Sequence, residues 1–367
     1  MQGASVAGRR AAEGAGFFFG PLDAVMREPG VTDVAVTPDG GVWVDRGSGM
    51  ERRAIAREFG SEAQVRAFAM QLCAQMGRRL DDSHPICDAG TLDGVRLHAV
   101  IAPIVPFGAS ISLRIPSARS ASLQELAFTG MMPSRWLYVL EGLVAAHATV
   151  LISGGTGSGK TTLLKAMLRR CDASERIVTV EETRELGALG HDDCVSLVTR
   201  EANVEGAGEV GLADLVKATV RMRPDRIVLG ECRGPEVTDL LRAFNSGHRG
   251  GMATIHADGV ERVPARLMAL GLLADVRPEA IAAMAEGAFD AVLHVKRGAG
   301  GRRWIAQIGR LVAREGEDGA LRLAGVPVAA WDGVGEERYA PQWNDFCMRC
   351  HVWEDGDGVD RRGVPGA

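Results

Sequence analysis

One short stretch has the composition and spacing of a phosphate-binding loop. It reads Gly154-Gly155-Thr156-Gly157-Ser158-Gly159-Lys160-Thr161 and fits the pattern G-x-x-x-x-G-K-[ST], after a predicted strand and before a predicted helix. Glycines leave backbone N–H groups free to wrap a β-phosphate, and the helix N-terminus adds partial positive charge. We therefore predict that Lys160 reaches the β- and γ-phosphates of ATP and that Thr161 ligates Mg²⁺.

Carboxylates near the phosphates are the second requirement, because a metal ion must be held and the attacking water must be oriented. Glu231 follows an apolar strand after one glycine, which places it where ligands of parallel sheets collect. Glu181 and Glu182 end the apolar strand that comes directly after the loop helix, so we expect them to lie close to that helix. His256 ends another short strand; it is either a neutral imidazole that senses the phosphate or a histidine satisfied within the core.

The first third of the chain has the pattern of a small α+β domain. Alternating apolar segments predict four strands, at 31–36, 42–44, 95–101 and 110–115. Between them, apolar residues recur every three or four positions over 61–76, which predicts an amphipathic helix. We assign this domain to residues 17–120. Residues 1–16 are rich in Gly, Ala and Arg and are predicted to be a flexible lead.

The rest of the chain alternates strands and helices. From a strand at 149–153 to a helix at 258–270, this alternation indicates a mainly parallel sheet covered by helices. Three further strands suggest an antiparallel annex, at 289–295, 303–313 and 320–325. We assign residues 121–340 to this α/β domain, and residues 341–367 carry too few periodic apolar positions to be assigned.

Composition and charge exclude several classes of protein. The chain has 42 Lys and Arg against 47 Asp and Glu, a net charge of −5, so it has no overall basic field and no direct nucleic-acid partner is expected. Its longest apolar stretch, 139–153, is interrupted by Glu141 and His147 and is too short to cross a bilayer. No secretory signal is recognisable at the N-terminus, so we predict a cytoplasmic protein.

Four blocks in a fixed order resemble the type II/IV secretion ATPase superfamily, at 154–162, 180–186, 221–231 and 247–257. They are similar to the Walker A, Asp box, Walker B and His box blocks of that family. Within it, the chain is most similar to the Tad/CpaF branch, which powers Flp pilus assembly, with VirB11 and TrbB as near relatives. The resemblance runs from about Val31 to about Leu270.

This resemblance implies a fold and an activity. The implied fold is α/β, a RecA-like P-loop NTPase core with an N-terminal α+β, PAS-like domain. The implied activity is ATP hydrolysis with Mg²⁺ by a homohexamer that drives pilus assembly or secretion at the inner face of the cytoplasmic membrane. Because the chain has no recognisable anchor, attachment there is implied to be peripheral, through inner-membrane platform proteins.

The resemblance also implies roles for single residues. Glu181 matches the carboxylate that polarises the attacking water, Glu231 matches the Walker B glutamate near Mg²⁺, and His256 matches the His-box histidine. Arg200 matches the arginine that follows the Asp box. Thr162 and Arg114 join the loop as implied nucleotide-binding residues. The family usually has Ile-Glu-Asp where this chain has Val-Glu-Glu, so the choice between Glu181 and Glu182 stays open.

Two other functions and one further motif remain as alternatives. A VirB11/TrbB-type conjugation or effector-secretion ATPase fits the same motifs. A DNA-translocating ATPase fits the same core, but the net negative charge of the chain speaks against it. The motif Cys347-Met348-Arg349-Cys350-His351 fits the haem attachment pattern C-x-x-C-H. Haem c is attached outside the cytosol, so an incidental pair of cysteines is favoured, with weak redox or metal affinity as the alternative.

Overall fold

The computed structural model describes residues 17–47, 49–56, 58–91, 94–116, 121–200 and 207–352. Backbone contacts divide the chain into two units, one ending at Ala118 and the other beginning at Arg119. The predicted flexible lead at residues 1–16 lies outside the described residues.

An antiparallel sheet of six strands forms the first unit. Its strands are β1 (Asp33–Val36), β2 (Val42–Asp45), β3 (Met50–Arg52), β4 (Ile86–Gly90), β5 (Arg96–Ile101) and β6 (Ala109–Arg114), in the order β3-β2-β1-β6-β5-β4. Its helices are α1 (Asp23–Met26) and α2 (Glu62–Gln75). Ser61 caps α2 by accepting the backbone N–H of Gln64, and the apolar face of α2 packs on β5 and β6. The four predicted strands and the helix are present, and β3 and β4 were not predicted.

Nine strands form the sheet of the second unit. They are β7 (Val150–Gly154), β8 (Ile177–Glu181), β9 (Cys194–Val198), β10 (Arg226–Cys232), β11 (Met252–Ile255), β12 (Ala291–Arg297), β13 (Arg303–Glu315), β14 (Leu321–Ala330) and β15 (Arg338–Tyr339). The helices are α3 (Leu123–Phe128), α4 (Ser134–Ala145), α5 (Lys160–Leu168), α6 (Leu212–Thr219), α7 (Glu236–Asn245), α8 (Val263–Leu272), α9 (Pro278–Ala288) and α10 (Trp343–Arg349).

The strand order corrects one expectation. It runs β15-β14-β13-β12-β7-β11-β10-β8-β9, and β12 pairs with β7 in parallel. The strand predicted at 289–295 therefore belongs to the parallel sheet, as the burial of its first five residues requires, and the antiparallel annex begins at β13. β8 lies three positions from β7 in the sheet, yet Glu181 at its end lies close enough to Lys165 of the loop helix for the two charges to interact, as expected.

Residues 341–352, the described part of the C-terminal segment that sequence reasoning left unassigned, belong to the second unit. In α10, Trp343, Phe346 and Cys347 are buried, and Val352 packs against Gly142 of α4. Burial raises the pKa of the nearby Cys350 thiol to about 12. Among the described residues, no group of three or more His, Cys, Asp or Glu side chains could hold a metal ion. The two cysteines of the C-x-x-C-H motif therefore act as core residues.

A buried ion pair fixes the start of β10. The guanidinium of Arg226 pairs with the carboxylate of Glu175 and donates to the carbonyl oxygens of Gly250 and Val144. These bonds tie β10 to the chain before β11 and to the end of α4. Since Arg226 is fully buried, losing either charge leaves the other unpaired in the core, which costs several kcal/mol. The contacts of Arg226 thus anchor the start of β10, the strand that carries Glu231 near its other end.

Candidate nucleotide-binding and catalytic site

The phosphate-binding loop joins the end of β7 to the start of α5. At Gly154 an added Cβ would lie 2.4 Å from the carbonyl oxygen of Val295 on β12, so no side chain fits. Gly159, with φ of 103°, caps α5 in a left-handed conformation that favours glycine. Residues 155–157 are exposed. The loop is an open cradle of backbone groups at a helix N-terminus, which is an anion-binding geometry.

Lys160 lies inside this loop. Its Nζ donates to the carbonyl oxygens of Gly154 and Gly155, each at 3.1 Å, and lies 3.2 Å from Nε2 of His256. Burial lowers the pKa of Lys160, while the charges of Glu231 and Glu185 act in the opposite direction. The ammonium group is therefore held at the loop by its own backbone and by a ring nitrogen.

A chain of charged contacts leads from Lys160 across the carboxyl ends of three strands. Nε2 of His256, after β11, lies 2.5 Å from Oε1 of Glu231 on β10. Oε2 of Glu231 accepts from Nη2 of Arg233 at 2.6 Å. Nη1 of Arg233 donates to Oε2 of Glu182, after β8, at 2.7 Å. Three side chains thus connect Lys160 in the loop with Glu182 in the block at 180–186.

Glu181 and Glu182 face different surroundings. Oε1 of Glu181 accepts the backbone N–H groups of Glu185 and Leu186, at 3.0 and 2.9 Å, and burial raises the pKa of this carboxyl. Glu182 is half-exposed and belongs to the charged chain through Arg233. Glu181 is therefore the buried carboxylate, with a raised pKa, and Glu182 is the one connected to Glu231 through Arg233. Which of them acts as the base stays a prediction.

His256 is held in its neutral form by its position. Burial is the largest cause of its lowered pKa, and the nearby charge of Lys160 is the second. Nε2 lies 3.2 Å from Nζ of Lys160 and 2.5 Å from Oε1 of Glu231. A proton on Nε2 would be donated to Oε1 of Glu231, and an Nε2 without a proton would accept from Lys160. The neutral-imidazole interpretation fits this geometry.

The remaining predicted residues lie on three different elements. Thr161 is half-buried and Thr162 is exposed, both in the first turn of α5. Arg200 follows the edge strand β9, and its backbone exchanges two hydrogen bonds with Val210. Arg114 lies in the first unit, where its Nε donates to Asp33 at 2.9 Å. The structure brings the loop, Glu231 and His256 together within one unit.

Both ATP and Mg²⁺ fit the residues that are present. The loop offers backbone N–H groups and Lys160 for phosphate oxygens. Ser158 Oγ, inside the loop, is buried and has no partner among the described residues. The carboxylate of Glu231, near the end of β10, is a ligand of the type that Mg²⁺ and its waters bind. Bound there, Mg²⁺ would neutralise charge on the β- and γ-phosphates.

Two charged residues of the site were missed by sequence reasoning. Arg233 connects Glu231 with Glu182, and its place two residues after Glu231 at a strand end was the available signal. The negative charge of Glu185 opposes the lowering of the pKa of both Lys160 and Lys165 by burial, which places Glu185 near the start of α5. It follows Glu181 by four residues, across a turn that sequence patterns do not resolve.

A buried histidine lies directly beneath the loop. Nδ1 of His294, on β12, lies 3.0 Å from Oγ of Ser153, the residue before Gly154. His294 is almost fully buried, and burial lowers its pKa to about 4. Its imidazole is therefore neutral at neutral pH and supports the end of β7.

We expect His294 to lower the stability of the protein in mild acid. Histidine in an unfolded chain has a pKa of about 6.5, and His294 has one of about 4 in the fold. The unfolded chain therefore binds the proton first, and stability present above pH 6.5 is lost as the pH falls toward 4. This amounts to about 2 kcal/mol between pH 7.5 and pH 5. Urea unfolding should show that His294→Asn loses correspondingly less stability than wild type between pH 7.5 and pH 5. Equal losses of stability would contradict this role of His294.

Residues 19–294 match a protein family described as Type II/IV secretion system protein. The chain belongs to this family. A protein of Mycobacterium tuberculosis strain H37Rv, provisionally named as a conjugal transfer protein, is 45% identical over 311 residues, which are 83% of this chain and 87% of that protein. The conjugal transfer protein TrbB of Rhizobium radiobacter is 29% identical over 278 residues, 74% of this chain and 81% of that protein.

A solved structure agrees with the fold. The ATPase DotB of Legionella pneumophila has a TM-score of 0.54 with 18% identity, covering 81% of this chain and 80% of that one. The predicted fold class, a RecA-like α/β core with a separate N-terminal domain, is confirmed. The chain is an ATPase of the type II/IV secretion family. The narrower assignment to the Tad/CpaF branch stays a prediction. In the described part of the chain, no helix has the length and apolar character needed to span a membrane.

Proposed function

We propose that this ATPase is a homohexameric motor that hydrolyses Mg²⁺-ATP to drive a secretion or pilus-assembly apparatus. The observation that carries this role is the contact chain from Lys160 through His256 and Glu231 to Arg233. It links a phosphate-binding loop to carboxylates on two other strands, so phosphate loss at the loop can change contacts elsewhere in the core.

Each side chain has a proposed part in hydrolysis. Lys160 neutralises charge on the β- and γ-phosphates, and Thr161 and Glu231 hold Mg²⁺, Glu231 partly through water. Glu181, whose pKa is raised by burial, orients and polarises the attacking water, with Glu182 as the alternative. His256 senses the terminal phosphate because it lies between Lys160 and Glu231. Arg114 stays a predicted nucleotide-binding residue.

The proposed location is the inner face of the cytoplasmic membrane. Attachment there is peripheral and comes through inner-membrane platform proteins of the apparatus. The net charge of −5 speaks against a direct nucleic-acid partner. ATPase stimulation by single-stranded DNA would instead favour a DNA-translocating motor.

Two cargoes fit this motor. The similarity of its sequence blocks to the Tad/CpaF branch favours pilin assembly. A relative 45% identical that is provisionally named for conjugal transfer favours a conjugation or effector-secretion machine. Neighbouring genes separate the two: prepilins and a prepilin peptidase support the first, and a coupling protein with channel components supports the second.

Arg200 is the residue we expect to act across a subunit boundary. It is exposed at the edge of the sheet, and its guanidinium lies over Gly208, 3.2 Å from a Cβ position there. An arginine supplied to the γ-phosphate of the next subunit raises kcat by about 10³ or more. Arg200→Ala should therefore lower kcat far more than it weakens ATP binding.

Mixed hexamers test this arrangement. Arg200→Ala and Lys160→Ala subunits are each inactive, but in a mixture some boundaries combine an intact loop with an intact Arg200. Phosphate release by the mixture should partly recover. If the two variants co-assemble and activity does not recover, Arg200 does not act between subunits.

A further inference from the structure

A basic hairpin reaches the phosphate-binding loop from the neighbouring strands. β12 ends at Arg297 and β13 begins at Arg303. Four of the eight residues 296–303 are Lys or Arg, and none is acidic. β12 pairs with β7, which carries the loop, so the hairpin lies beside Gly157. The G-x-x-x-x-G-K-[ST] pattern does not include this segment, which follows the loop by more than a hundred residues.

Arg303 holds the loop from outside. Its Nε donates to the carbonyl oxygen of Gly157 at 2.9 Å. Its Cδ lies 3.2 Å from the position that a Cβ would take on Gly159. In a trans peptide the N–H points away from the carbonyl. The bond therefore turns the N–H of Ser158 into the loop, where it lies 3.3 Å from the carbonyl oxygen of Gly155.

Arg297 places a second guanidinium at the same loop. Its Nη1 lies 3.1 Å from a Cβ position on Gly157. No carboxylate among the described residues forms an ion pair with Arg297 or with Arg303. The two arginines stand directly opposite each other in the β12–β13 register, where like charges repel. An anion bound at the loop would offset that repulsion.

We propose that Arg297 is a nucleotide-binding residue, supplied by this hairpin to the loop of its own subunit, and that Arg303 is a positioning residue for the loop. Arg297 donates to phosphate oxygens of the bound nucleotide. This inference rests on the proposed function, because the anion it invokes is the polyphosphate of ATP or ADP. Guanidinium groups suit this task, since they form charge-assisted and often bidentate hydrogen bonds to phosphate.

Binding of ADP and of inorganic pyrophosphate tests the proposal in the full chain. Both are measured by displacement of a fluorescent ADP from wild type, Arg297→Ala and Arg297→Lys. The matched control is Arg302→Ala, in the same hairpin, whose guanidinium lies 5.8 Å from the ring centroid of Trp331. We expect Arg297→Ala to raise both Kd values about tenfold, the lysine variant to fall between, and the control to stay within about twofold.

The positioning role of Arg303 has its own readout. Arg303→Met keeps the stem that packs at Gly159 and loses the donor to Gly157. It should raise the KM for ATP and lower kcat together, because a loop held less firmly misplaces the phosphates. Arg297→Ala should mainly raise the KM for ATP and change kcat less.

Three results overturn the inference. The first is that Arg297→Ala binds pyrophosphate as tightly as wild type. The second is that Arg302→Ala loses as much affinity as Arg297→Ala, and the third is that Arg297→Ala loses affinity only because its unfolding temperature has fallen. None of these results bears on ATP hydrolysis by the wild-type chain, so the proposed function would still stand. Failure of wild type to bind ADP overturns both this inference and the proposed function.

Discussion

Replacing Lys160 with alanine is expected to abolish ATP hydrolysis and to weaken ATP binding at least about a hundredfold. The ammonium group is buried in the loop, and two loop carbonyls and His256 hold it in place. Alanine leaves the β- and γ-phosphates without this charge. The measurements are phosphate release and the Kd for ATP in the purified full chain.

Lys217→Ala is the matched control for this experiment. Lys217 is an exposed lysine on α6 with an ion pair to Asp239, and it does not belong to the loop. Lys217→Ala should leave phosphate release and the Kd for ATP within about twofold of wild type, because surface ion pairs contribute little. Hydrolysis at the wild-type rate by Lys160→Ala would mean that residues 154–161 are not the nucleotide site.

Glu231→Gln should bind ATP and hydrolyse it about 10² to 10³ times more slowly than wild type. Glutamine keeps the shape of the side chain and loses the charge that holds Mg²⁺ and pairs with Arg233. The expected pattern is a low kcat with a Kd for ATP close to that of wild type. Glu279→Gln, an exposed carboxylate at the start of α9, is the control. Equal losses of binding and turnover would contradict a role specific to hydrolysis.

The same assay distinguishes Glu181 from Glu182. Glu181→Gln is expected to stop hydrolysis while ATP still binds, because the buried carboxylate is the proposed base. Glu182→Gln is expected to have a smaller effect, since its carboxylate pairs with Arg233 at a half-exposed position. If Glu182→Gln is inactive and Glu181→Gln hydrolyses ATP normally, the base is Glu182 and not Glu181.

Local sequence was sufficient to predict the loop and the strand ends that carry its carboxylates. The glycines, Lys160 and the strand before them are contiguous, so the motif determines its own conformation. Glu231 follows an apolar strand, and its position at the carboxyl end needs only the assumption of a parallel sheet. These predictions depend on neighbours along the chain, and the structure agrees with them.

Contacts between distant segments were not predictable in the same way. Strand order depends on pairing across long separations, so the placement of β8 three strands from β7 had no local signal. The proximity of Arg297 and Arg303 to Gly157 follows from the pairing of β12 with β7. The short helix α10 was missed because seven residues give too few turns for a periodic pattern.

The most direct test of the account is phosphate release by the purified wild-type chain, measured with ATP over a series of Mg²⁺ concentrations. Lys160, Glu231 and Thr161 are proposed to act on Mg²⁺-ATP, so release should rise with Mg²⁺, saturate, and stop when EDTA removes the metal ion. A chain that binds ATP but releases no phosphate at any Mg²⁺ concentration, or releases it equally in EDTA, would contradict the assignment of this site as the motor's ATPase centre.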